Sequence, residues 1–209
     1  MTVRVAQAAP EHAAGLGALF DAASTPCHCR YWHFEGDKNA WLERCAFAPE
    51  VNRHELEADL AAGAPSGRGL VALDDAGVVV GWAKLAPRAA VPKLRRLSVY
   101  RALDLGDDDG VLSLACLLVH PEHRGRGIAR ALARAAVDVA REAGARFVEA
   151  YPVRAVDRIP AEEAYRGTVA LLEEVGYEEA SVGAGGGSSM PWEIGATAKY
   201  PVLRAATRG

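Results

Sequence analysis

The sequence predicts an α/β protein, read as one domain over residues 1–209. Three observations predict it. Apolar runs of strand length alternate along the chain with amphipathic stretches of helical period. Half of the 209 residues are apolar, enough for a sizeable core in one domain. A short Gly/Arg turn joins the most apolar run, Val111–Val119, to the clearest amphipathic stretch, which starts at Ile128.

The elements follow in order. Thr2–Ala8 reads as an opening strand. Pro10–Ala23 reads as a helix with proline at its start, where a missing N–H costs little. Ser24–Phe34 is irregular. Lys38–Phe47 and Glu50–Ala62 are helical, the second breaking at Ala62-Gly63. Gly69–Leu73 and Val78–Leu85 are strands joined by Asp74-Asp75-Ala76-Gly77, a hairpin signal. Pro87–Gly110 is a long connection with a basic cluster (Lys93, Arg95, Arg96) and an acidic tip, Asp107–Asp109; connections of that length often carry function. Val111–Val119 has the length of a buried strand, and His120-Pro121 ends it, because proline cannot donate to a ladder. From Ile128, residues Ile128, Leu132, Ala135, Ala136 and Val139 fall on one helical face. A strand over Phe147–Tyr151, a helix over Ala161–Val175 and a strand over Tyr177–Val182 follow. Gly183–Ser189 is flexible by composition, and Trp192–Tyr200 is expected to be a closing strand.

Composition excludes more than it selects. A net charge of −3 gives no global pull toward nucleic acid or an anionic membrane. The basic cluster Lys93–Arg96 is short and faces acidic neighbours, so no nucleic-acid partner is expected. No apolar stretch is long enough to span a bilayer, and the opening residues carry no export-type apolar region. The four cysteines, Cys27, Cys29, Cys45 and Cys116, form no secreted-scaffold pattern. They read as reduced thiols, and the expected location is the cytoplasm.

Chemistry concentrates at the Gly/Arg turn. A glycine turn feeding a helix leaves backbone N–H groups without intrahelical acceptors, and the helix dipole adds partial positive charge there. That is an anion site, with phosphate its usual occupant; Arg124 and Arg126 add full charges. The plainer reading is a tight turn with solvated arginines. Two nucleotide motifs are excluded. There is no G-x-x-x-x-G-K-[ST], and G-x-G-x-x-G fails because Arg130 stands at its last position. What matches is R-x-x-G-x-[GA], written here as Arg124-Gly125-Arg126-Gly127-Ile128-Ala129.

With Leu117-Leu118-Val119 before it and the Pro121-Glu122 turn, this stretch resembles the acetyl-CoA signature of the GNAT N-acetyltransferase superfamily. Gly144–Ala150 resembles the strand that follows, and Ala164–Tyr177 the last helix with its Gly-Phe pair, here Gly176-Tyr177. Gly69–Leu85 resembles the central hairpin. The similarity runs over roughly residues 1–182 and is strongest over 69–182. The Cys- and Trp-containing segment at 27–33, with Tyr151-Pro152, resembles a bacterial subgroup.

The resemblance implies a mixed, mostly antiparallel central sheet, splayed at the cofactor site and flanked by helices. It implies acetyl-CoA as cosubstrate and direct acetyl transfer to a primary amine in a ternary complex, a small-molecule amine being favoured because Pro87–Gly110 could cover the site. It places the pantetheine along Leu117, Leu118 and Val119, and the pyrophosphate on Arg124, Gly125, Arg126, Gly127, Ile128 and Ala129. Dimerisation is common in the family, but nothing in the chain specifies it.

The sequence departs from the family at the general acid. The usual tyrosine position holds Leu172, and Tyr165 stands where an asparagine is common. Tyr165 is either a substitute acid one helical face away or a half-buried structural tyrosine. Glu149 is the first candidate base, since a carboxylate on an apolar strand needs a partner or a shifted pKa. His120 at the strand end is the second; Glu122 and His123 are weaker. Cys116 reads as a small core hydrophobe sharing a face with Leu114 and Leu118, or as a thiol facing the thioester.

Cys27-His28-Cys29-Arg30-Tyr31-Trp32-His33 could bind zinc, but C-x-C is too close for a knuckle and no second cluster follows, so no metal is expected. By its place after the first helix, Tyr31, Trp32 and His33 are read as an aromatic wall of the acceptor pocket, with Cys116 beside it. The rival readings are a catalytically weak CoA-binding sensor, which the missing tyrosine favours, and a zinc-linked interaction module.

Overall fold

A computed structural model describes residues 3–97, 100, 103–154, 164–180, 183–184 and 201–207. In chain order the strands are β1 (Arg4–Gln7), β2 (Gly69–Leu73), β3 (Val79–Pro87), β4 (Leu103–Asp104), β5 (Val111–Val119), β6 (Phe147–Ala150), β7 (Glu178–Glu179), β8 (Gly183–Ala184) and β9 (Leu203–Ala206). The helices are α1 (Ala13–Ala22), α2 (Lys38–Phe47), α3 (Pro49–Ala61), α4 (Pro92–Arg96), α5 (Ile128–Glu142) and α6 (Val169–Glu173).

Seven strands form one sheet in the order β1-β2-β3-β5-β6-β9-β7, and β4 pairs with β8 separately. Every pair in the seven-stranded sheet is antiparallel except β5–β6. The centre is covered on both faces, so β2 and β3 read as unbroken apolar runs rather than alternating ones. On one face α5 packs Ile128, Leu132, Ala133, Ala136 and Ala140 onto Leu70, Ala72, Ala83 and Leu117. On the other, Leu16, Leu19 and Phe20 of α1 and Leu56 and Leu60 of α3 meet Val71, Trp82, Cys116 and Leu118.

Two irregularities set up the site. First, β5 is bulged. Lys84 pairs with Cys116 and the next residue, Leu85, with Leu114, so Ala115 is passed over. The bulge shifts the side-chain alternation. Leu114 packs with Leu117 on the α5 face, while Cys116 and Leu118 face α1. The expected common face for Leu114, Cys116 and Leu118 is thereby corrected. Second, β5 and β6 pair only over Val111–Leu114 and Phe147–Ala150. Beyond Leu114 the β5 edge parts from β6, and this is the splay.

Several element boundaries differ from the sequence expectation. Pro10–His12 is a 3-10 turn ahead of α1. Pro87–Gly110 contains α4, β4 and a 3-10 turn at Arg88–Ala90. The helix expected over Ala161–Val175 spans only Val169–Glu173 among the described residues, because Gly167 takes a φ of 77° and Thr168 caps the helix by accepting from Leu171 N–H. The strand expected at Tyr177–Val182 is Glu178–Glu179, with 181–182 outside the described residues. Gly183–Ala184, expected to be loop, pairs with β4. Trp192–Tyr200 lies outside the described residues, and the strand that inserts between β6 and β7 is Leu203–Ala206.

Candidate active site

The splay opens between β5 and the N-terminus of α5. Gly125 and Gly127 take φ values of 74° and 80°, a region that side chains with a Cβ enter at a cost. Gly127 is the N-cap and offers no side-chain cap. The backbone N–H groups of Gly125, Gly127, Ile128 and Ala129 therefore have no acceptor among the described residues. They border a cavity of about 280 Å³ lined also by Leu117, Leu118, Val119, Arg124 and Gly167. Arg124 is held by its Nε–H, which donates to the Val119 carbonyl at 3.4 Å. Of the nine residues expected at the cofactor, eight line this one cavity. Arg126 is exposed and lies outside the lining.

A second cavity of about 630 Å³ lies across β5. Tyr31, Trp32 and Trp41 form one wall, with ring centroids 5.5–5.8 Å apart between Tyr31 and its two neighbours. Cys116 and Leu118 form the floor, and Leu118 borders both cavities. The wall between the two spaces is thus the single strand segment Cys116–Leu118. Tyr165 lines the larger cavity while Ala164 and Gly167 line the smaller one, so their turn spans the junction. The turn is tied to the strand where Leu117 N–H donates to the Tyr165 carbonyl at 2.6 Å. Tyr165 is 46% exposed, and its partial burial pushes the phenol up, so it stays protonated at neutral pH.

Other expected residues are placed differently. Glu149 is fully buried and accepts from three groups. Arg88 Nη1 lies 3.0 Å and Arg204 Nη2 2.9 Å from Oε2, and the Tyr151 hydroxyl donates to Oε1 at 3.0 Å. Arg88 also reaches Asp108 at 2.6 Å and the Leu105 carbonyl at 2.9 Å. Glu149 therefore anchors the Pro87–Gly110 connection to the sheet, and, unlike the expected base, it lines neither cavity. His120 accepts from Glu122 N–H at 3.3 Å and caps the turn after β5. It too lines neither cavity, and in its place His123 borders the smaller one.

His33 leaves the aromatic wall. Its Nε2 is buried without a partner among the described residues, and burial, reinforced by Lys84 and Arg30, lowers its pKa to about 3. The basic cluster is used internally: Lys93 donates to Gly36 O at 2.9 Å and Arg95 to Asp108 at 2.7 Å. No group of three or more metal-ligating side chains gathers among the described residues.

Sequence reasoning missed Trp41, Arg166 and Lys84. Arg166 donates to the Tyr151 carbonyl at 3.0 Å and the Tyr100 hydroxyl at 2.6 Å, with its guanidinium 5.8 Å over Trp32. Lys84 alone had a visible signal, as a lysine inside an apolar strand.

A splayed mixed sheet, with a glycine turn and helix N-terminus at the gap, makes the opening an anion-binding cleft. The sequence matches the Acetyltransferase (GNAT) family over residues 37–167, and the chain belongs to that family. Membership makes it an N-acetyltransferase with acetyl-CoA as its cosubstrate. Solved structures share the fold. They include PaiA N-acetyltransferase of Thermoplasma acidophilum in complex with coenzyme A (12% identity, 99% of both chains, TM-score 0.52). An N-acetyltransferase of Staphylococcus aureus Mu50 is similar at 14% identity over 100% of both chains, TM-score 0.52. So is yncA of Salmonella typhimurium with acetyl-CoA (17% identity, 100% of this chain and 95% of that one, TM-score 0.50). No curated protein matches the sequence. No helix among the described residues is long and apolar enough to cross a membrane.

Proposed function

We propose that this protein transfers an acetyl group from acetyl-CoA to the primary amine of a small molecule, directly, with both substrates bound. One observation carries the reading: two cavities, one bordered by unpaired backbone N–H groups and one by aromatic rings, share the Cys116–Leu118 segment as their common wall. The thioester supplies an activated acyl carbonyl. The N–H groups of Gly125, Gly127, Ile128 and Ala129, with the Arg124 guanidinium, fit a pyrophosphate.

By alternation from Leu117, the free amide of Val119 also points to the open β5 edge, where it can pair with the pantetheine. Tyr31, Trp32 and Trp41 hold the apolar body of the acceptor. The Tyr165 phenol, protonated at the junction, delivers the proton to the departing thiolate. No carboxylate lines the larger cavity among the described residues, so the acceptor ammonium loses its proton to water.

The alternative is a catalytically weak CoA-binding module. The buried Leu172 at the family's tyrosine position favours it. Thiol release from acetyl-CoA over a panel of small amines separates the two. Turnover above the uncatalysed rate with at least one amine supports the transferase. Micromolar acetyl-CoA binding without turnover on any amine supports the module.

A further inference from the structure

All four cysteines of the chain line the larger cavity. Cys29 differs from the others in its surroundings. It follows His28 in a turn where both residues take positive φ, 41° and 55°, a backbone that non-glycine residues adopt only when their surroundings hold them there. Trp82 Nε1–H donates to its sulfur at 3.1 Å, and Cys29 packs with Cys116 in one buried cluster, the two cysteines of the chain that are buried. A thiol sulfur is a weak acceptor, so a buried indole N–H aimed at one suits a thiolate.

The neighbouring charge agrees. Lys84 lies opposite Cys116 in the β3–β5 register and is 1% exposed. It donates to the Ser66 carbonyl and makes no ion pair with a carboxylate among the described residues. A buried ammonium needs a compensating anion; near Lys84 the Asp59 carboxylate is already paired with Arg30, and Cys29 is a further group that can become one.

We propose that Cys29 and Cys116 form a reactive dithiol in the wall of this cavity, a covalent modification site that peroxide oxidises to an intramolecular disulfide. The Cys29 thiolate attacks one peroxide oxygen, the O–O bond breaks, and the product is a sulfenic acid with one water released after proton uptake. Cys116 sulfur then attacks the sulfenic sulfur, loses its proton and expels a second water. In balance, two thiols and one peroxide give one disulfide and two waters.

The two sulfurs differ in the way this sequence needs. Burial pushes the Cys29 thiol up, but the neighbouring Cys116, the Trp82 hydrogen bond and the charges of Lys84 and Arg30 outweigh it and hold it below the ordinary thiol value. The neighbouring Cys29, with burial, holds Cys116 well above that value. Cys27 is pushed up to about 12 by burial and by the Cys29 charge, and so is a poor competitor. Lys84, lowered to about 7 chiefly by burial, is in turn surrounded by Arg30, Asp59 and Cys116.

This chemistry does not depend on the acetyl-transfer reading. It needs only that a small oxidant enters the cavity. The test is peroxide treatment of the reduced full chain, followed by thiol counting and peptide mass spectrometry. The expected result is loss of two of the four thiols, a Cys29–Cys116 linked peptide, and reversal by dithiothreitol. Cys116→Ser should leave a sulfenic acid on Cys29 that dimedone traps.

On the wild-type protein, iodoacetamide should label Cys29 first, at a rate that falls with pH more steeply in Lys84→Met. The wild-type labelling needs no variant to fold. Prior labelling of Cys27 or Cys45, or no bridged peptide from natively folded protein, would overturn the proposal. Acetyl-CoA titration of the reduced chain is read separately. Absence of binding there counts against the transferase and leaves the dithiol standing.

Discussion

The backbone N–H of Leu117 donates to the carbonyl of Tyr165 at 2.6 Å, tying the turn before α6 to the open edge of β5. The contact is made by main chain on both sides, so it fixes where the Tyr165 ring stands without depending on the ring. Tyr165→Phe therefore keeps the turn and removes only the hydroxyl. A hundredfold or so loss in kcat is expected, the lower range for a general acid, with acetyl-CoA affinity unchanged. Steady-state kinetics with calorimetric titration checks it. An unchanged kcat would return Tyr165 to a structural role.

The cofactor turn makes a second prediction. Gly127→Val forces a β-branched residue into a φ of 80° at the N-cap of α5, and Arg124→Ala removes a guanidinium from the cavity lining. Removing a charge-assisted hydrogen bond costs about 1.5–3 kcal/mol, roughly a 10- to 100-fold loss of affinity. Calorimetric titration of acetyl-CoA should show a loss of that order for Arg124→Ala and a larger one for the pair. Wild-type affinity in both would mean that the turn does not hold the pyrophosphate.

Glu149 is expected to affect stability rather than chemistry. Glu149→Gln leaves Arg88, itself 2% exposed, without its buried counter-charge. Breaking a buried pair from one side costs about 3–5 kcal/mol. Urea denaturation should register that loss. Turnover measured well below the melting temperature should stay within a few-fold of wild type, whereas a general base would lose orders of magnitude.

Acid sensitivity follows from two histidines. Burial, with Arg53 nearby, lowers His28 to about 4, and burial with Lys84 and Arg30 lowers His33 to about 3, both from 6.5. Below pH 6.5 the unfolded chain binds protons that the folded chain refuses, so stability falls with pH through that window and is unaffected by these groups above it. Melting temperature followed from pH 7 to 4 should decline, and His33→Asn should make the decline shallower. A flat profile across the window would contradict the assignment.

Local patterns determined a large part of this protein. The β5 run, the start of α5 at Ile128, the α2 span Lys38–Phe47 and the β2–β3 hairpin are properties of consecutive residues, because period, caps and turn glycines act over a few positions. The cofactor turn was legible for the same reason: all its groups lie in one short stretch, much of it main chain.

The tertiary structure alone decided what required distant segments to meet. The partner that Glu149 needed came from Arg88 and Arg204, 61 and 55 residues away in sequence. The face of Cys116 depended on a bulge visible only in its register with β3. The strand β9 joined the sheet from the far end of the chain. The gathering of four thiols around one cavity depended on the packing of α1, α2 and the 24–34 segment against β3 and β5. Long-range electrostatics and register have no short-range signature, since the charges that neutralise each other and the strands that pair are chosen by packing, not by sequence spacing.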